Sequence, residues 1–476
     1  MRVIITLAIA GSLLVTSVSR ASVTPVPLES TSQRISTMEA LLDRAMAQNL
    51  IAGGVVVIGN SQGIIATSAR GHLTSAAGSP PLDEHTIFDI ASLTKVVATA
   101  PAVMKLLDEG KIALTDPISR WFPEFAQPGR SEITVQHLLT HTSGLDDVSV
   151  PSDQPMQSAI RKAAAERRSS TGRFHYADIN FILLGELVRR VSGSSLDAFC
   201  QNEIFGPLGD RETMFLPSRA MEASIAPTSG YSPGVVQDPN ARRLGGVAGH
   251  AGLFTSAYDL SRYARLMLGK GTLGNQRVLS EQVVAEMTSP HSCSNGQVWR
   301  GLGWDMNSPF AAPKGSLFSD ASFGHTGYSG SSIWIDPKQD LFVILLTRRV
   351  NYRDTHSFNQ LRREVSTVAS ATYNGGTVPF AINDDALLAE AAAVDSEPAP
   401  PPGRIEVYEK EGILVATNIH HTAPEHVQPR REAVQHHASK VVKSSAKKCS
   451  VRKGRVSRVA KSEGRAHSRK RRPVRG

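Results

Sequence analysis

Ser92 and Lys95, within Phe88-Asp89-Ile90-Ala91-Ser92-Leu93-Thr94-Lys95, have the types and spacing that nucleophilic chemistry needs. On a helix that begins near Ala91, a separation of three residues puts both on one face. Ser92 then sits in the first turn, where backbone N–H groups lack intrahelical acceptors. A serine hydroxyl is a poor nucleophile at its own pKa. A neighbouring ammonium favours the alkoxide, and free N–H groups face the negative charge that develops on a carbonyl oxygen. Ser-x-x-Lys is common by chance, so its weight depends on what accompanies it. Tyr176-Ala177-Asp178 stands at the start of a helical pattern, and Gly324-His325-Thr326-Gly327-Tyr328 immediately precedes a strand-like run.

The elements that must position these residues show in the hydrophobic periodicity. A helix-period stretch at 35–46 precedes two β-rich runs, 54–58 and 63–67, separated by Gly59-Asn60-Ser61-Gln62. Helical segments follow around 91–109, 135–140, 179–191 and 257–268, and Pro101 predicts a kink or a shortened helix in the first. Two further strand runs, 331–335 and 341–347, flank Asp336-Pro337, and a helix spans about 356–369. Strands at both chain ends with helices between them predict an α/β (α+β) fold: one antiparallel sheet from both ends, flanked by helices, with an inserted helical subdomain.

With 41% hydrophobic and 20% charged residues, the 476-residue chain has enough apolar mass for a sizeable core, which excludes a disordered, collagenous or multi-span membrane protein. Its charge is unevenly spread. Residues 430–476 hold 17 Lys and Arg against Glu432 and Glu463, a net +15, which leaves −6 for the rest. The basic pI therefore belongs to an appended tail, and nucleic acid is not an expected partner of the body. That tail, too poor in apolar residues to build a core, is expected to be disordered and to hold an anionic cell-envelope polymer. Residues 376–429, with Pro398-Ala399-Pro400-Pro401-Pro402, read as a low-complexity linker, and 22–375 as the folded domain.

At the N-terminus, Arg2, the apolar run from Val3 to Val18 and Ser19-Arg20-Ala21 read as a signal peptide over 1–21. The run is shorter than the roughly 20 residues of a membrane span, so no transmembrane span is expected in the mature chain. A periplasmic or extracellular location follows. Cys200, Cys293 and Cys449 show no metal spacing and carry no readable function.

The Ser-x-x-Lys, Tyr-Ala-Asp and His-Thr-Gly elements, in this order, resemble the class C β-lactamase, D-alanyl-D-alanine carboxypeptidase and esterase superfamily of serine hydrolases. The phrases at 138–145 (Leu-Leu-Thr-His-Thr-Ser-Gly-Leu), 249–254 (Gly-His-Ala-Gly-Leu-Phe) and 301–304 (Gly-Leu-Gly-Trp) support the resemblance, which covers about residues 35–370. It implies a β-lactamase/penicillin-binding-protein-like fold in which Ser92 attacks an acyl carbonyl, assisted by Lys95 and Tyr176. It also implies an oxyanion hole from the backbone N–H groups of Ser92 and Tyr328. A free phenol has a pKa of about 10, so Tyr176 acts as a base only where Lys95 and its surroundings stabilise the phenolate. Sequence leaves open which of the two is the base.

Substrate-binding positions follow from the same resemblance: Asp178, His250, His325, Thr326 and Gly327. His325 stands where the lactamases carry Lys, and Asp178 where they usually carry Asn. Losing a permanent cation and gaining a carboxylate should weaken recognition of the carboxylate on penicillins and cephalosporins. Asp178 has a second reading as a helix cap ahead of Ile179, and His250 a second reading as a loop-stabilising residue. The glycine-rich run 245–252 lacks the Lys and Ser/Thr of a phosphate loop. His420, His421, His426, His436 and His437 read as a solvated tract, and no metal or cofactor is expected. The expected function is an exported serine hydrolase that cleaves an ester or peptide-like amide through an acyl-serine, esterase or D-alanyl carboxypeptidase-like. The alternatives are a β-lactamase and a non-catalytic wall-binding or ligand-sensing protein anchored by its basic tail.

Overall fold

Val55, Val56, Val57 and Ile58 leave a strand no polar side, so such a strand must be covered on both faces. A computed structural model, which describes residues 26–27, 31–166, 169–308, 310–373, 377–378, 405–410 and 413–418, shows how. Helix α1 (Thr31–Ala47) leads into the hairpin β1 (Ile51–Asn60) and β2 (Gly63–Gly71). Helices α2 (Ala100–Asp108), α3 (Asp178–Ser192) and α4 (Ala257–Leu268) belong to the long insertion. The chain then returns through β3 (His291–Cys293), β4 (Val298–Arg300), β5 (Asp305–Asn307), β6 (Phe323–Gly327), β7 (Ser331–Asp336) and β8 (Leu341–Arg349) to helix α5 (Thr355–Tyr373). The sheet order is β2-β1-β8-β7-β6-β5-β4-β3, antiparallel at every pairing.

The two chain ends meet where β1 pairs with β8, Val57 opposite Ile344 and Val56 opposite Leu345. Alternation then sends these residues to opposite faces. Val56, Ile58, Val343 and Leu345 pack against Met38, Leu41 and Leu42 of α1 and Phe358, Leu361 and Val365 of α5. Val55, Val57, Ile344 and Leu346 join the larger core, which includes Ile90, Leu93 and the insertion helices. The expected antiparallel sheet from both chain ends is therefore present, and longer than the strand runs in the sequence indicate. Strands β3, β4 and β5 have three residues each, too few for a period-2 signal to stand out. Residues 324–328, placed by the sequence just ahead of a strand, are mostly strand themselves: β6 pairs with β7 from Phe323 opposite Ile335 to Gly327 opposite Ser331.

The helix expected over 91–109 is divided. Ala91–Leu93 form a 3-10 turn, Lys95–Thr99 a π-helical turn, and α2 begins only at Ala100. Pro101 is the cause at the sequence level, since it has no N–H to return to the preceding turn. The Ala100 N–H bonds to the Lys95 carbonyl, and the Val96 carbonyl receives the Tyr263 hydroxyl of α4 at 2.6 Å. Such wide turns inside helices commonly occur at functional sites.

Contacts divide the chain into two units, Met1–Glu397 and Pro398–Gly476. Within the stretch expected to be a linker, Ile405–Lys410 and Ile413–Asn418 pair as an antiparallel hairpin, so part of 376–429 carries regular structure. No helix among the described residues is long and apolar enough to cross a membrane. Cys200 and Cys293 are buried free thiols. The expected signal peptide over 1–21, the basic tail over 430–476, Cys449 and the five histidines from His420 to His437 lie outside the described residues.

Candidate active site

Ser92 is presented by a tight turn rather than by a regular helix. The residue before it, Ala91, has φ +46°, a left-handed conformation that costs a non-glycine residue roughly 1–3 kcal/mol. Buried Asp89 holds that turn, accepting the Ala91 N–H on Oδ1 and the Gln237 N–H on Oδ2, both at 2.8 Å. Burial pushes its carboxyl up to about 6. The turn is closed from the sheet side as well: the Ser329 hydroxyl donates to the Asp89 carbonyl at 2.6 Å and the Ser331 hydroxyl to the Ile90 carbonyl at 2.9 Å. A Cβ on Gly327 would lie 2.3 Å from the Ile90 carbonyl oxygen, so only glycine lets β6 come this close. Tyr328, between these contacts, is thereby held beside the Ser92 segment, and its ring is 57% exposed at the mouth of the site.

Lys95 is fully buried, and its ammonium lies among oxygen atoms. It donates to Ser92 Oγ at 2.9 Å and to the His250 carbonyl at 3.0 Å, and Nζ lies 2.7 Å from Asp178 Oδ1. Burial opposes the charge, but Asp178 and Tyr176 outweigh it and hold Lys95 above its ordinary pKa. Lys95 is thus a cation at neutral pH. Tyr176 is half-buried, its ring centre 5.2 Å from Nζ, and Ser92 and Lys95 both act on its hydroxyl. Burial pushes this phenol above its usual value, Lys95 pulls it down, and Asp178 pushes it up again.

Asp178 is the first residue of α3 and not its cap. The residue at the cap of α3 is Ala177, whose side chain makes no capping bond, and the Ile179 N–H is taken by Asp147 Oδ1 at 3.2 Å from another segment. The Asp178 carboxylate is left to Lys95. His250 Nε2 bonds to Asp238 Oδ1 at 2.9 Å, while its backbone carbonyl holds Lys95. His250 and its neighbours keep the Asp238 carboxyl down at about 2 against the opposing effect of burial. Gly249 of the same loop packs on α3, where a Cβ would meet the Phe181 carbonyl at 2.0 Å; these glycines serve close packing.

His325, on β6, is brought to 6.0 Å from the Tyr176 ring, centre to centre. Its Nδ1 lies 2.8 Å from the Thr326 carbonyl, an acceptor only, so that nitrogen carries the proton. Burial, with the charges of Arg300 and Lys95, holds His325 well below its ordinary pKa and hence neutral. Thr326 is half-buried beside it.

Several site residues are not singled out by sequence reasoning. His141, in the 138–145 phrase, is fully buried with φ +55° and stacks on Tyr176 at 4.4 Å between ring centres. Its Nδ1 accepts the Ala177 N–H at 3.3 Å, and burial keeps it neutral. Phe174 and Phe310 extend this aromatic wall, Phe310 lying 4.9 Å from Tyr176 and exposed. Arg300 is buried under Phe174, paired with Asp305 at 3.3 Å. Asp238 has a local signal, an acidic residue ahead of Pro239 as in a helix cap. His141 and Arg300 have none, because only the fold brings them to Tyr176 and His325.

Asp178, Asp238 and His250 place ligand-type atoms within 4.8 Å of one another, a set of the kind that binds metal ions. Asp178 is already paired with the Lys95 ammonium and Asp238 with His250. A divalent ion would have to displace a buried cation, so the donor set does not fit a resident metal.

Residues 38–366 match the family model described as Beta-lactamase. A relative from Salmonella agona (strain SL483), provisionally named a D-alanyl-D-alanine carboxypeptidase, is 29% identical over 309 residues, or 56% of this chain and 70% of its own. Among solved structures, EstCE1, a hydrolase with promiscuous acyltransferase activity, superposes with a TM-score of 0.58 at 22% identity, covering 70% of this chain and 98% of its own. A class C beta lactamase from Rhodobacter sphaeroides gives 0.58 at 20% identity, covering 71% and 99%. At these identities the structural likenesses show the fold, which is the expected β-lactamase/penicillin-binding-protein-like one.

Proposed function

This chain belongs to the beta-lactamase family and is a serine hydrolase, and from that premise we propose that it cleaves an ester or a peptide-like amide through an acyl-enzyme on Ser92. The observation that carries this reading is the contact of Ser92 Oγ with a buried, permanently charged Lys95 that Asp178 anchors. An ammonium held this way cannot accept a proton, so its part is electrostatic: it lowers the energy of anionic oxygen at Ser92 and Tyr176. The proton acceptor is then the Tyr176 oxygen, as the phenolate that Lys95 stabilises. Ser92 gives its proton to Tyr176 as Oγ bonds to the carbonyl carbon. The carbonyl oxygen becomes an oxyanion facing the N–H groups of Ser92 and Tyr328. Collapse breaks the bond to the leaving alkoxide or amine, which takes the proton from Tyr176. Water repeats the sequence to release the acid and restore Ser92.

Thr326 and Gly327 border the substrate, with Gly327 giving the backbone clearance that brings Tyr328 to Ser92. A neutral His325 offers no cation to a β-lactam carboxylate, which ranks esters and neutral amides above cephalosporins. The reading of residues 1–21 as a signal places the reaction outside the cytoplasm, and the Salmonella relative's name makes a D-alanyl peptide one substrate to try. The test is Ser92→Ala beside the wild type on short aryl esters, a D-alanyl-D-alanine peptide and a chromogenic cephalosporin. Turnover and fluorophosphonate labelling should vanish while the thermal transition is kept. A wild-type label found on another serine, with Ser92 unmodified, would overturn the assignment.

A further inference from the structure

The peptide unit that carries the Tyr328 N–H ends in the Gly327 carbonyl. That carbonyl accepts a 2.6 Å hydrogen bond from Nη2 of Arg362 on α5, which also reaches the Ser331 carbonyl at 3.0 Å. Arg362 is 5% exposed, and none of the ion pairs among the described residues includes it. Its neighbours are Asn359, whose Oδ1 accepts from Nη1 at 3.1 Å, the Phe358 ring at 4.6 Å, and a like charge, Arg349. Arg349, also buried, donates to the Tyr328 carbonyl at 3.3 Å, which belongs to the next peptide unit. Two guanidiniums thus lie behind one short loop.

Burying a cation without a carboxylate costs several kcal/mol in an ordinary interior. Arg362 Nη2 is given to two peptide carbonyls, and a charged donor on a carbonyl changes that whole amide. It favours the resonance form with charge separation, shortens the C–N bond and makes the N–H a stronger donor, the more so at low dielectric. Of the two arginines, Arg362 is the one that acts on the Gly327–Tyr328 peptide, whose carbonyl also takes the Gly330 N–H at 3.1 Å. When a tetrahedral oxyanion forms there, the site gains the negative charge that the arginines lack.

We infer that Arg362 is a positioning residue for acylation, which through the Gly327–Tyr328 peptide fixes and polarises the N–H that receives the oxyanion. This rests on the reading of Tyr328 as an oxyanion donor. The experiment is isotope-edited infrared spectroscopy of the acyl-enzyme formed by the full chain from a slowly deacylating ester labelled at the carbonyl carbon, with the denatured acyl-enzyme as reference. In the wild type the acyl carbonyl should absorb at lower wavenumber than in the denatured protein. Arg362→Gln should move it back towards the reference and lower kcat/KM roughly tenfold with little change in KM, less than deleting a donor outright. Arg362→Lys, which keeps the charge but not the planar fork, should fall between the two, and it carries the test if the Gln variant does not fold. A wild-type band at the reference position removes the oxyanion reading and this inference with it. A shifted wild-type band left in place by every variant that folds overturns the inference alone.

Discussion

The two sides of Ser92 handle buried charge in opposite ways. On the insertion side, buried Lys95 has the Asp178 carboxylate at 2.7 Å. On the sheet side, Arg349 and Arg362 are buried behind the Tyr328 loop with carbonyls rather than carboxylates as partners. A compensated cation keeps its proton state and controls the groups that exchange protons. An uncompensated one is satisfied only when negative charge arrives, which happens on the reaction path. On the proposed mechanism, the first side holds the proton-transfer groups and the second supports the peptide that receives the oxyanion.

The largest effects should come from the compensated side. Tyr176→Phe and Lys95→Ala are each expected to lower kcat by roughly a thousandfold or more, and the double variant to be little worse than either, because groups acting as one proton-transfer unit are not additive. Steady-state kinetics on an aryl ester checks this. Losses that multiply fully would separate the two residues and break the division proposed here.

Substrate preference is the next effect in size. The wild type should show a higher kcat/KM for an ester than for a chromogenic cephalosporin, and His325→Lys with Asp178→Asn should shift the ratio towards the cephalosporin by about tenfold, the worth of one charge-assisted contact. A cephalosporin hydrolysed faster than every ester and D-peptide by the wild type would overturn the ranking.

A smaller effect concerns pH. The Tyr176 phenol is held above its usual range, so the phenolate is a minor species at neutral pH and kcat/KM should climb from pH 7 towards pH 10. Asp178 raises both Lys95 and Tyr176. Asp178→Asn removes that push, so both groups titrate lower and the rising limb should move to lower pH. A limb that stays in place would detach Asp178 from the proton transfer.

The smallest expected effect is none at all. Truncation after Pro402 removes no residue of either side and should leave hydrolysis of a soluble ester unchanged. It should, however, weaken sedimentation with cell envelopes at low salt, where 17 cationic side chains in 430–476 are least screened. A large loss of ester hydrolysis would place the tail in the catalytic unit, and equal envelope binding would remove it as an anchor.

Much of the nucleophile's side of the site was legible in the chain because it is local. Three residues from Ser92 to Lys95 put the two side chains together, Pro101 marks a break in the helix expected over 91–109, and 54–58 reads as a strand. The rest depends on distant segments. The sequence left Asp178 between a helix cap and a substrate contact, and only the fold, with Ala177 at the cap of α3, sets its carboxylate on Lys95. The fold likewise sets the His250 ring on Asp238.

By itself, then, the sequence determined the residues able to do the chemistry, the alternation that builds a sheet from both chain ends, and the separation of a basic tail from a mildly acidic body, because periodicity, spacing and charge are properties of neighbours along the chain. The tertiary structure alone decided their states. Neutral His141 and His325, permanently charged Lys95 and unpaired Arg362 follow from burial and from which charges lie within a few ångströms, and those distances are set by how the insertion packs on the sheet.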